Sequence, residues 1–458
     1  MELRHRRAFV AGAGISGRAA ARFLLARGAR VTLYDDRPRP LLAPEVDELE
    51  RAGATIAGPD QAAGAYDLVV VSPGVPREAP PVQTAAREGA EVIGELELAF
   101  RFLGAPVIAV TGTNGKTTVT EMVGRILRAA GRRTFVGGNV GTPLVEAVGG
   151  SWDWVVAEVS SFQLETVSTF RPRVAVLLNV GDDHLDRHRD AAAYGRAKGR
   201  IFDHQGPGDV AVVNRDDPAA WALSRRSAGT LAPFSTCRVL PLGAWIEGGD
   251  AVFLLPGEDG VRLPLGPLRL PGLHNRSNAL AASLAAVWAG VAPEVAWRQA
   301  CGFPGLPHRL EMFLEWRGAR FVDDSKATNV GAALAALATV EPPVVWVGGG
   351  TDKGGDYAPL ATALRERARL AVVVGAQTER LARALTGAVP LHRAADWPEG
   401  VRAAVAAVRP GDTVLLSPAC ASFDCFAGYA QRGETFQRLC NDETRRIDTE
   451  RSGARGAR

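Results

Sequence analysis

The stretch of residues 107–118 constrains this chain more than any other. Its apolar, β-branched start, Val107–Val110, predicts a buried parallel strand, and a helical pattern begins a few residues later. Gly112 and Gly115 lie in the turn between them, and Lys116 follows directly. In this order of strand, glycine turn, Lys-Thr and helix, backbone N–H groups surround a phosphate, the lysine reaches the outer phosphates and the hydroxyl holds Mg²⁺.

The match to G-x-x-x-x-G-K-[S/T] is incomplete, because Val110 stands where the pattern has its first glycine. An ordinary strand-to-helix turn is the alternative, but it gives no reason for a lysine directly after the second glycine. We therefore predict a nucleoside-triphosphate site. Its candidate residues are Gly112, Thr113, Asn114, Gly115, Lys116, Thr117 and Thr118.

Lysine is rare in this chain. Of its 53 Lys and Arg residues only four are lysines, namely Lys116, Lys198, Lys326 and Lys353. Lysine is a compact charge whose amine can become neutral, and arginine is neither. We therefore expect lysine to be kept where the chemistry requires an amine, with chance placement of any one of them as the alternative.

Bulk properties indicate about three domains. Of the 458 residues, 22% are charged and 47% hydrophobic, and the formal net charge of +3 argues against nucleic-acid binding. No apolar run reaches the roughly 18–20 residues of a membrane-spanning helix. The basic start leads into a glycine turn rather than a signal-peptide core, and the cysteines show neither metal nor disulfide spacing. We expect a cytoplasmic protein, a monomer, with a disordered basic tail from Arg445 to Arg458.

Residues 1–103 are predicted to form a first α/β domain. A short strand, Ala8–Val10, leads into Gly12-Ala-Gly-Ile-Ser-Gly17, and a second strand ends at Asp35-Asp36. G-x-G-x-x-G with an acid about 20 residues later is the dinucleotide fingerprint. The loop itself requires only a diphosphate near a helix N-terminus. The loop therefore fits NAD(P), but it equally fits another nucleoside diphosphate. In that case the acid would bind a uracil.

An NAD(P) oxidoreductase with an accessory ATPase domain is one reading of this fingerprint, but no candidate hydride site follows the first domain. Ser72 and Gly74 come directly after a further predicted strand, Asp67–Val71. Ligands of such sheets lie at the C-terminal ends of the strands, which makes both residues candidates for substrate binding. A plain turn explains them equally well.

Residues 104–302 carry the phosphate loop and further candidate ligands. Glu158 ends the predicted strand Trp154–Ala157 beside the phosphate strand, where a protein ligand of Mg²⁺ is expected. His184 lies among acids at the end of another strand, and is a candidate metal or substrate ligand, with a structural role as the alternative. Lys198 lies in a predicted helix, where the alternative is a solvated surface lysine.

Residues 303–458 repeat the alternation of strand and helix. Polar residues follow the predicted strands at Asp323–Asn329, Gly348–Lys353 and Ser417–Ser422. We predict an α/β fold of three Rossmann-like domains, the central one with a mostly parallel sheet of the P-loop ATPase type. The stretch 232–270 is interrupted by Pro and Gly, and shows no recognisable chemistry.

Five motifs are spread over nearly the whole chain and follow one another in the order that a known family has. They are Thr111–Thr118, Glu158–Glu165, Leu306–Arg309, Asp323–Asn329 and Ser417–Ser422. By these motifs the chain resembles the Mur ligase family. The phosphate loop and Leu-Pro-His-Arg also occur in the wider superfamily, which includes folylpolyglutamate synthases. Ser-Ser-Phe-Gln-Leu, Asp-Ser-Lys-Ala-Thr-Asn and Ser-Pro-Ala-Cys-Ala-Ser point to the family member that adds D-glutamate.

The resemblance implies an ATP-dependent ligase of peptidoglycan precursor synthesis, with UDP-N-acetylmuramoyl-L-alanine (UDP-MurNAc-L-Ala) and D-glutamate as substrates and two Mg²⁺ ions as cofactors. ATP would phosphorylate the alanine carboxylate, and the amine of D-glutamate would attack the acyl phosphate through a tetrahedral intermediate. Because the reacting groups are anions, Mg²⁺ and lysines would screen them. An amide ligase of the folylpolyglutamate synthase type is the alternative.

The resemblance also implies roles for single residues. The catalytic residues would be Lys116, Glu158, His184, Lys198 and Lys326. The metal ligands would be Thr117, Glu158, His184 and a carbamate formed from CO₂ on Lys198. ATP would further contact Asn275, Arg309 and Asp324. The UDP substrate would contact Ile15, Ser16, Gly17, Asp35, Asp36, Arg37, Ser72, Gly74, Asn139 and His184. D-glutamate would contact Thr328, Lys353, Ser422 and Tyr429.

Carbamylation fits a lysine, because it converts a cation into an anion and starts from a neutral amine, which arginine does not offer. Three positions depart from the family pattern. Asp36 stands where a small hydroxyl residue is expected, Tyr429 stands where Phe is frequent, and the glycine run around Lys353 is spaced differently from that of some members.

Overall fold

The computed structural model describes residues 1–59, 64–181, 183, 188, 190–266, 268–351, 355–375 and 378–456. The described residues form three sheets and two compact units. The first unit comprises Met1–Val180, Ala192–Leu268 and Ser277–Gly302, and the second comprises Gly181–Ala191, Arg269–Arg276 and Phe303–Arg458. The predicted α/β fold with three sheets is confirmed, whereas the domain boundaries at 103/104 and 302/303 stay a prediction.

The first sheet has five parallel strands in the order β3-β2-β1-β4-β5. Its strands are β1 Arg7–Ala11, β2 Arg30–Tyr34, β3 Thr55–Ala57, β4 Leu68–Val71 and β5 Glu91–Gly94. Its helices are α1 Ile15–Ala26, α2 Glu45–Arg51, α3 Pro80–Arg87 and α4 Glu95–Phe100, with a 3-10 helix at Arg39–Leu41. The strand order reverses between β1 and β4, so the loops that follow these two strands meet where ligands of such sheets bind.

The second sheet has nine strands in the order β14-β13-β12-β11-β10-β9-β6-β8-β7. Its strands are β6 Val107–Thr111, β7 Thr134–Gly138, β8 Trp154–Glu158, β9 Val174–Leu177, β10 Val210–Asn214, β11 Thr230–Ser235, β12 Gly243–Glu247, β13 Asp250–Leu254 and β14 Val261–Pro264. β6 pairs in parallel with β8 and β9. The loop after β6 therefore lies between the ends of those two strands.

The helices of this stretch of the chain are α5 Lys116–Ala129, α6 Ser161–Leu164, α7 Ala191–Gly199, α8 Pro218–Leu223, α9 Leu273–Trp288 and α10 Pro293–Cys301, with 3-10 helices at Leu144–Ala147, Arg200–Phe202 and Ser224–Arg226. Helices α5 to α8 lie between the strands of this sheet along the chain, and α9 and α10 follow its last strand. The stretch 232–270, which shows no chemistry in the sequence, supplies β12 and the antiparallel strands β13 and β14 at the edge of the sheet.

The third sheet has six strands in the order β15-β16-β20-β17-β18-β19, parallel except for the β15–β16 pair. Its strands are β15 Glu311–Trp316, β16 Ala319–Asp323, β17 Val344–Gly348, β18 Ala368–Val373, β19 Leu391–Arg393 and β20 Thr413–Leu416. Its helices are α11 Val330–Thr339, α12 Ala358–Arg367, α13 Thr378–Leu385, α14 Trp397–Ala406 and α15 Tyr429–Gly456.

Helix α15 continues over most of the stretch that the sequence led us to expect as a disordered tail. Arg446 contacts Glu443 and Glu450 on the same helix. Such pairs three and four residues apart stabilise a helix, so the charges of this segment support helical structure. Among the described residues, no helix combines the length and the apolar composition that crossing a membrane requires.

Candidate active site

The loop of residues 112–115 joins β6 to α5, so the predicted strand, turn and helix are present. Gly115 has a φ of +87°, and a Cβ there would lie 2.5 Å from Oδ1 of Asn278. Asn179, which follows β9, accepts a hydrogen bond from the Asn114 N–H at 2.8 Å and donates one to the Asn114 carbonyl at 3.1 Å. The first turn of α5 carries no acidic residue. This helix N-terminus is therefore suited to an anion.

Two lysine amines meet at this loop. Nζ of Lys116 donates to the carbonyls of Gly112 at 2.9 Å and Thr113 at 3.0 Å. Nζ of Lys198 donates to the same Gly112 carbonyl at 2.8 Å and lies 4.4 Å from the centre of the Tyr194 ring. Lys198 is only 1% exposed, so the surface alternative for this residue is wrong. Two amines on one carbonyl concentrate donors where a polyanion would bind.

Glu158 ends β8, the neighbour of β6. Its Oε1 accepts a hydrogen bond from Nδ2 of Asn139 at 2.9 Å, while its buried Oε2 has no hydrogen-bond partner in the described part of the chain. Gly138 allows Asn139 to approach, because a Cβ at this glycine would lie 2.3 Å from the Glu158 carbonyl oxygen. A buried carboxylate oxygen without a partner is costly, which points to a bound ligand.

The donor atoms at this sheet edge fit a magnesium ion. Mg²⁺ takes oxygen ligands, and is commonly held by one or two carboxylates together with substrate phosphates. Glu158 offers its unpartnered carboxylate oxygen, and the buried hydroxyl of Thr111, at the end of β6, also has no partner within the described ranges. Thr117 adds a further hydroxyl in the first turn of α5. These ligands are all hard oxygen donors.

Two predicted site residues, His184 and Lys353, lie outside the described residues. Within the second unit, Asp183 is buried, and its Oδ2 accepts a hydrogen bond from Nδ2 of Asn329 at 3.2 Å. Asn329 also caps α11, since its Oδ1 accepts from the Ala332 N–H at 2.8 Å. The polar loop after β16 is therefore tied to the segment that carries Asp183.

The glycine fingerprint of the first sheet forms a tight joint, that is, a close contact between the start of α1 and the backbone of the loop after β1. A Cβ at Gly17 would lie 1.8 Å from the Gly12 carbonyl oxygen, and Oγ of Ser72 donates to that carbonyl at 3.0 Å. Ser72 thus shapes the loop instead of merely occupying a turn. Gly74 is exposed, and a Cβ there would meet nothing within 4 Å, so packing gives no reason for a glycine. Ile15, at the start of α1, is 65% exposed and free to touch a ligand.

Asp35 organises the end of β2. Its Oδ2 accepts the Ala13 N–H at 2.8 Å, and Arg37 donates to both of its oxygens, at 2.7 and 2.9 Å. Burial alone would raise the pKa of Asp35, but the hydrogen bonds from Arg37 and Ala13 outweigh it and lower the pKa. Asp36 is exposed and accepts a hydrogen bond from the hydroxyl of Tyr34. Asp35 therefore links the glycine loop to Arg37.

In the second unit, polar residues lie in the loops that follow the C-terminal ends of the third sheet's strands. Asp324 is buried and accepts hydrogen bonds from Oγ of Ser417 at 3.1 Å and from the Leu310 N–H at 3.2 Å. Burial raises the pKa of Asp324 to about 7, against the lowering effect of these bonds. Nζ of Lys326 lies 3.9 Å from the centre of the Tyr429 ring, a cation–π contact.

The remaining predicted residues of this unit take less defined positions. Asn275 is buried, and its Nδ2 donates to the Pro271 carbonyl at 2.8 Å. Arg309 is half-buried next to Leu310, and its positive charge acts to lower the pKa of Asp324. Thr328 donates its N–H to the Lys326 carbonyl at 2.8 Å, and Ser422 is 2% exposed.

Three family models match the chain. Those described as the MurD-like N-terminal domain, the Mur ligase middle domain and the Mur ligase glutamate ligase domain match residues 6–94, 110–286 and 308–420. The UDP-N-acetylmuramoylalanine–D-glutamate ligase of Syntrophotalea carbinolica is 46% identical over 94% of this chain and 96% of its own length. The chain belongs to the Mur ligase family. The motif-based resemblance is thereby confirmed.

Other Mur ligases agree with this assignment. Relatives of the same name from Geobacter metallireducens and Anaeromyxobacter dehalogenans are each 45% identical, covering 96% and 97% of this chain and 98% and 99% of their own lengths. The MurF ligase of Thermotoga maritima, solved in complex with ADP, has a TM-score of 0.61 at 18% identity, covering 98% of this chain and 100% of that chain. At such identity the structure supports the Mur ligase fold alone.

For this Mur ligase, the structure brings several predicted residues together within each unit. In the first unit, Lys116 and Lys198 share one carbonyl and Glu158 pairs with Asn139. In the second unit, Lys326 contacts Tyr429. Asp36 lies apart from the contacts that join Asp35 and Arg37 to the glycine loop.

Sequence reasoning missed one residue that bonds to the backbone of the phosphate loop and a cluster of side chains in the second unit. Asn179 holds the phosphate loop through hydrogen bonds to the Asn114 backbone. Its position at the end of a strand was the only feature of the sequence that pointed to it. In the second unit, Nδ1 of His308 lies 2.7 Å from Oδ2 of Asp323, which also accepts from Nε2 of Gln437 at 2.8 Å. His308, Asp323 and Glu311 have donor atoms within 4.8 Å of one another, but hydrogen bonds already join them. The Leu-Pro-His-Arg motif contains His308 and was the available signal.

Proposed function

We propose that this Mur ligase is an ATP-dependent ligase that joins D-glutamate to UDP-MurNAc-L-Ala in peptidoglycan precursor synthesis. The observation that carries this proposal is identity of 46% over 94% of the chain to a relative of that name. The phosphate loop with its two converging lysines supports an ATP-dependent reaction, and the glycine joint of the first sheet supports a nucleoside diphosphate as part of the other substrate.

The first chemical step would be phosphoryl transfer. An oxygen of the alanine carboxylate attacks the γ-phosphorus of ATP, the bond to the β-phosphate oxygen breaks, and ADP leaves. The N–H groups at the start of α5 and the amine of Lys116 would hold the phosphates in line for this attack. Lys116 would exchange its bonds to Gly112 and Thr113 for bonds to phosphate, whose oxygens carry the negative charge that a carbonyl lacks.

Thr117 and Glu158 would hold a magnesium ion, and Lys198, as a carbamate, together with His184 would hold a second. Bound Mg²⁺ supplies charge neutralisation of the phosphates. The chain's own part is to keep Glu158 in place: Asn139 donates to one carboxylate oxygen and leaves the other available. Lys198 is held by the hydrogen bond from its Nζ to the Gly112 carbonyl.

The second step would be attack of the D-glutamate amine on the acyl carbon. A tetrahedral intermediate forms, phosphate leaves, and the amine gives up a proton as the amide is made. Lys326 would stabilise the departing phosphate, and Asn275, Arg309 and Asp324 would bind ATP. Thr328, Lys353, Ser422 and Tyr429 would bind D-glutamate. Ile15, Ser16, Gly17, Asp35, Asp36, Arg37, Ser72, Gly74 and Asn139 would bind the UDP substrate.

The direct test is phosphate release by the purified protein with ATP, Mg²⁺ and UDP-MurNAc-L-Ala. We expect release only when D-glutamate is added, and a product whose mass equals the UDP substrate plus one glutamyl residue. L-glutamate is the matched control, since it differs only in configuration. Equal turnover with L-lysine or meso-diaminopimelate would assign a different member of the family, and turnover of a pterin substrate would favour the folylpolyglutamate synthase type.

A further inference from the structure

Arg432, on α15, is a fully buried arginine with 0% exposure. Its hydrogen-bond partners in the described part of the chain are one hydroxyl and four carbonyls rather than a carboxylate. Nε donates to Oγ of Ser325 at 3.0 Å and Nη2 to the Ser325 carbonyl at 2.8 Å. Nη1 donates to the carbonyls of Cys420 at 3.1 Å, Ala421 at 3.2 Å and Gly349 at 3.4 Å.

These partners lie on three different loops. Ser325 follows β16, Gly349 follows β17, and Cys420 and Ala421 follow β20. In the sheet the three strands are neighbours, in the order β16-β20-β17. One guanidinium group therefore joins the C-terminal ends of three adjacent parallel strands, which is where ligands of such sheets bind.

The same loops carry the residues assigned above to the incoming amino acid. Thr328 lies in the loop after β16 and Ser422 in the loop after β20. Tyr429, one turn before Arg432 on α15, accepts at its carbonyl a hydrogen bond from Oγ of Ser325 at 2.8 Å. Arg432 thus contacts the backbone that places these residues, and it reaches them without itself being exposed to a substrate.

The arrangement requires arginine specifically. A buried charge is costly unless hydrogen bonds satisfy it, and here carbonyl dipoles do so from three directions. Burial lowers the pKa of Arg432 to about 10, so the group stays protonated at neutral pH. Lysine would keep the charge, but it has one nitrogen and cannot span three loops as the planar five-donor fork does.

We propose that Arg432 is a positioning residue for the acceptor amino acid, because it fixes the three strand-end loops that form the D-glutamate pocket. The proposal rests on the ligase function proposed above. Its consequence is selective: losing the fork loosens the pocket for D-glutamate and leaves the phosphate loop, in the first unit, unaffected.

The test compares Arg432→Lys with Arg438→Lys, an exchange at a 63% exposed side chain on the same helix. Steady-state kinetics would give kcat and the KM for each substrate, and hydroxylamine would trap the acyl phosphate made without D-glutamate. For Arg432→Lys we expect the KM for D-glutamate to rise at least about tenfold, because a small displacement of the residues that bind a substrate has a large effect on the reaction. The KM for the UDP substrate, and acyl-phosphate trapping, should stay within about twofold. The KM for ATP should rise less than that for D-glutamate, because Asp324 and Lys326 share the loop after β16 with Ser325. Arg438→Lys should match wild type throughout.

Several results would overturn the proposal. Wild-type KM for D-glutamate in Arg432→Lys would refute it, and so would an equal rise in all KM values or loss of acyl-phosphate trapping, which would indicate a general structural role. If Arg432→Lys does not fold, Ser325→Ala carries the test, since it removes the Nε partner, together with the bond from Oγ to the Tyr429 carbonyl, and leaves the carbonyl partners of Arg432 in place. It should raise the KM for D-glutamate selectively, and an unchanged value would refute the proposal. Wild-type protein that makes no product with D-glutamate would instead overturn the ligase function, and this proposal with it.

Discussion

Glu95→Gln is expected to stabilise the protein at pH 8 and to leave its stability near pH 4.5 unchanged. Glu95 begins α4 and is 1% exposed. Its Oε1 accepts the Val145 N–H at 2.7 Å, and its Oε2 has no hydrogen-bond partner within the described ranges. Burial raises the pKa of Glu95 from 4.5 to about 7, although the N–H groups of Val145 and Leu144 act to lower it. The folded state therefore favours the protonated carboxyl.

The sign and size follow from proton linkage. A raised carboxyl pKa contributes stability that is full below the unfolded value and is lost as pH rises through the folded value. As pH rises from 4.5 to about 7, the wild-type protein therefore loses the contribution of Glu95 to its free energy of unfolding. At 1.36 kcal/mol per pKa unit this loss is roughly 3 kcal/mol. Glutamine is neutral throughout and keeps the oxygen that accepts the Val145 N–H. For a chain of 458 residues that melts cooperatively, the difference corresponds to about 3 °C in Tm.

The assay is differential scanning calorimetry of both proteins from pH 5 to pH 8, with Glu97→Gln as the matched control. Burial alone would raise the pKa of Glu97, but hydrogen bonds from Thr169, Ser168 and Arg101 outweigh it and lower the pKa to about 2. Its stabilisation is present above the unfolded value near 4.5 and lost only as pH falls toward about 2. Glu97→Gln should thus lower Tm at every pH tested. A Glu95→Gln protein whose Tm difference from wild type does not grow with pH would refute the reasoning.

Three further outcomes test the site. Lys198→Ala should lose at least about 99% of activity and regain part of it with short carboxylic acids that replace the carbamate; full activity would contradict the carbamate. Glu158→Gln should lower kcat about 100-fold and raise the Mg²⁺ concentration needed for half-maximal rate, and an unchanged Mg²⁺ titration would remove Glu158 from the metal site. Asp35→Ala should raise the KM for the UDP substrate about tenfold and leave that for ATP unchanged, whereas equal changes would place Asp35 outside the substrate site.

Much of the fold and part of the site could be predicted because the signal was local. The strand, glycine turn and helix around Lys116 lie within a dozen residues, and β-branched runs that end in polar residues indicate parallel strands. The rarity of lysine also predicted correctly that Lys198 is not a surface residue. The short strands of the 232–270 stretch escaped notice because Pro and Gly interrupt them, and edge strands need little apolar sequence.

The rest could not be read from sequence because the partners are backbone atoms. Glu97 accepts from the N–H groups of Ser168, Thr169 and Phe170, about 70 residues away along the chain, and any residue but proline offers that group. Arg432 bonds mainly to carbonyls, which every residue has. A chain with so many arginines gives one buried arginine no compositional signal, whereas four lysines in the whole chain drew attention to each.

The two basic residue types are used at two places, one in each unit, where different side-chain geometry is needed. At Gly112 two lysine amines share one carbonyl. Each is a single flexible point that can leave the loop, Lys116 for a phosphate and Lys198, as the proposed carbamate, for a metal ion. At Arg432 a rigid fork bonds to three loops at once and is buried away from any substrate. Exchanging either residue type for the other would conserve the positive charge, but we expect it to remove the role proposed for each residue. An arginine at Lys198 offers no neutral amine to CO₂, and the single nitrogen of a lysine at Arg432 cannot replace both the Nε and Nη2 donors to Ser325 and the Nη1 donor to the other two loops.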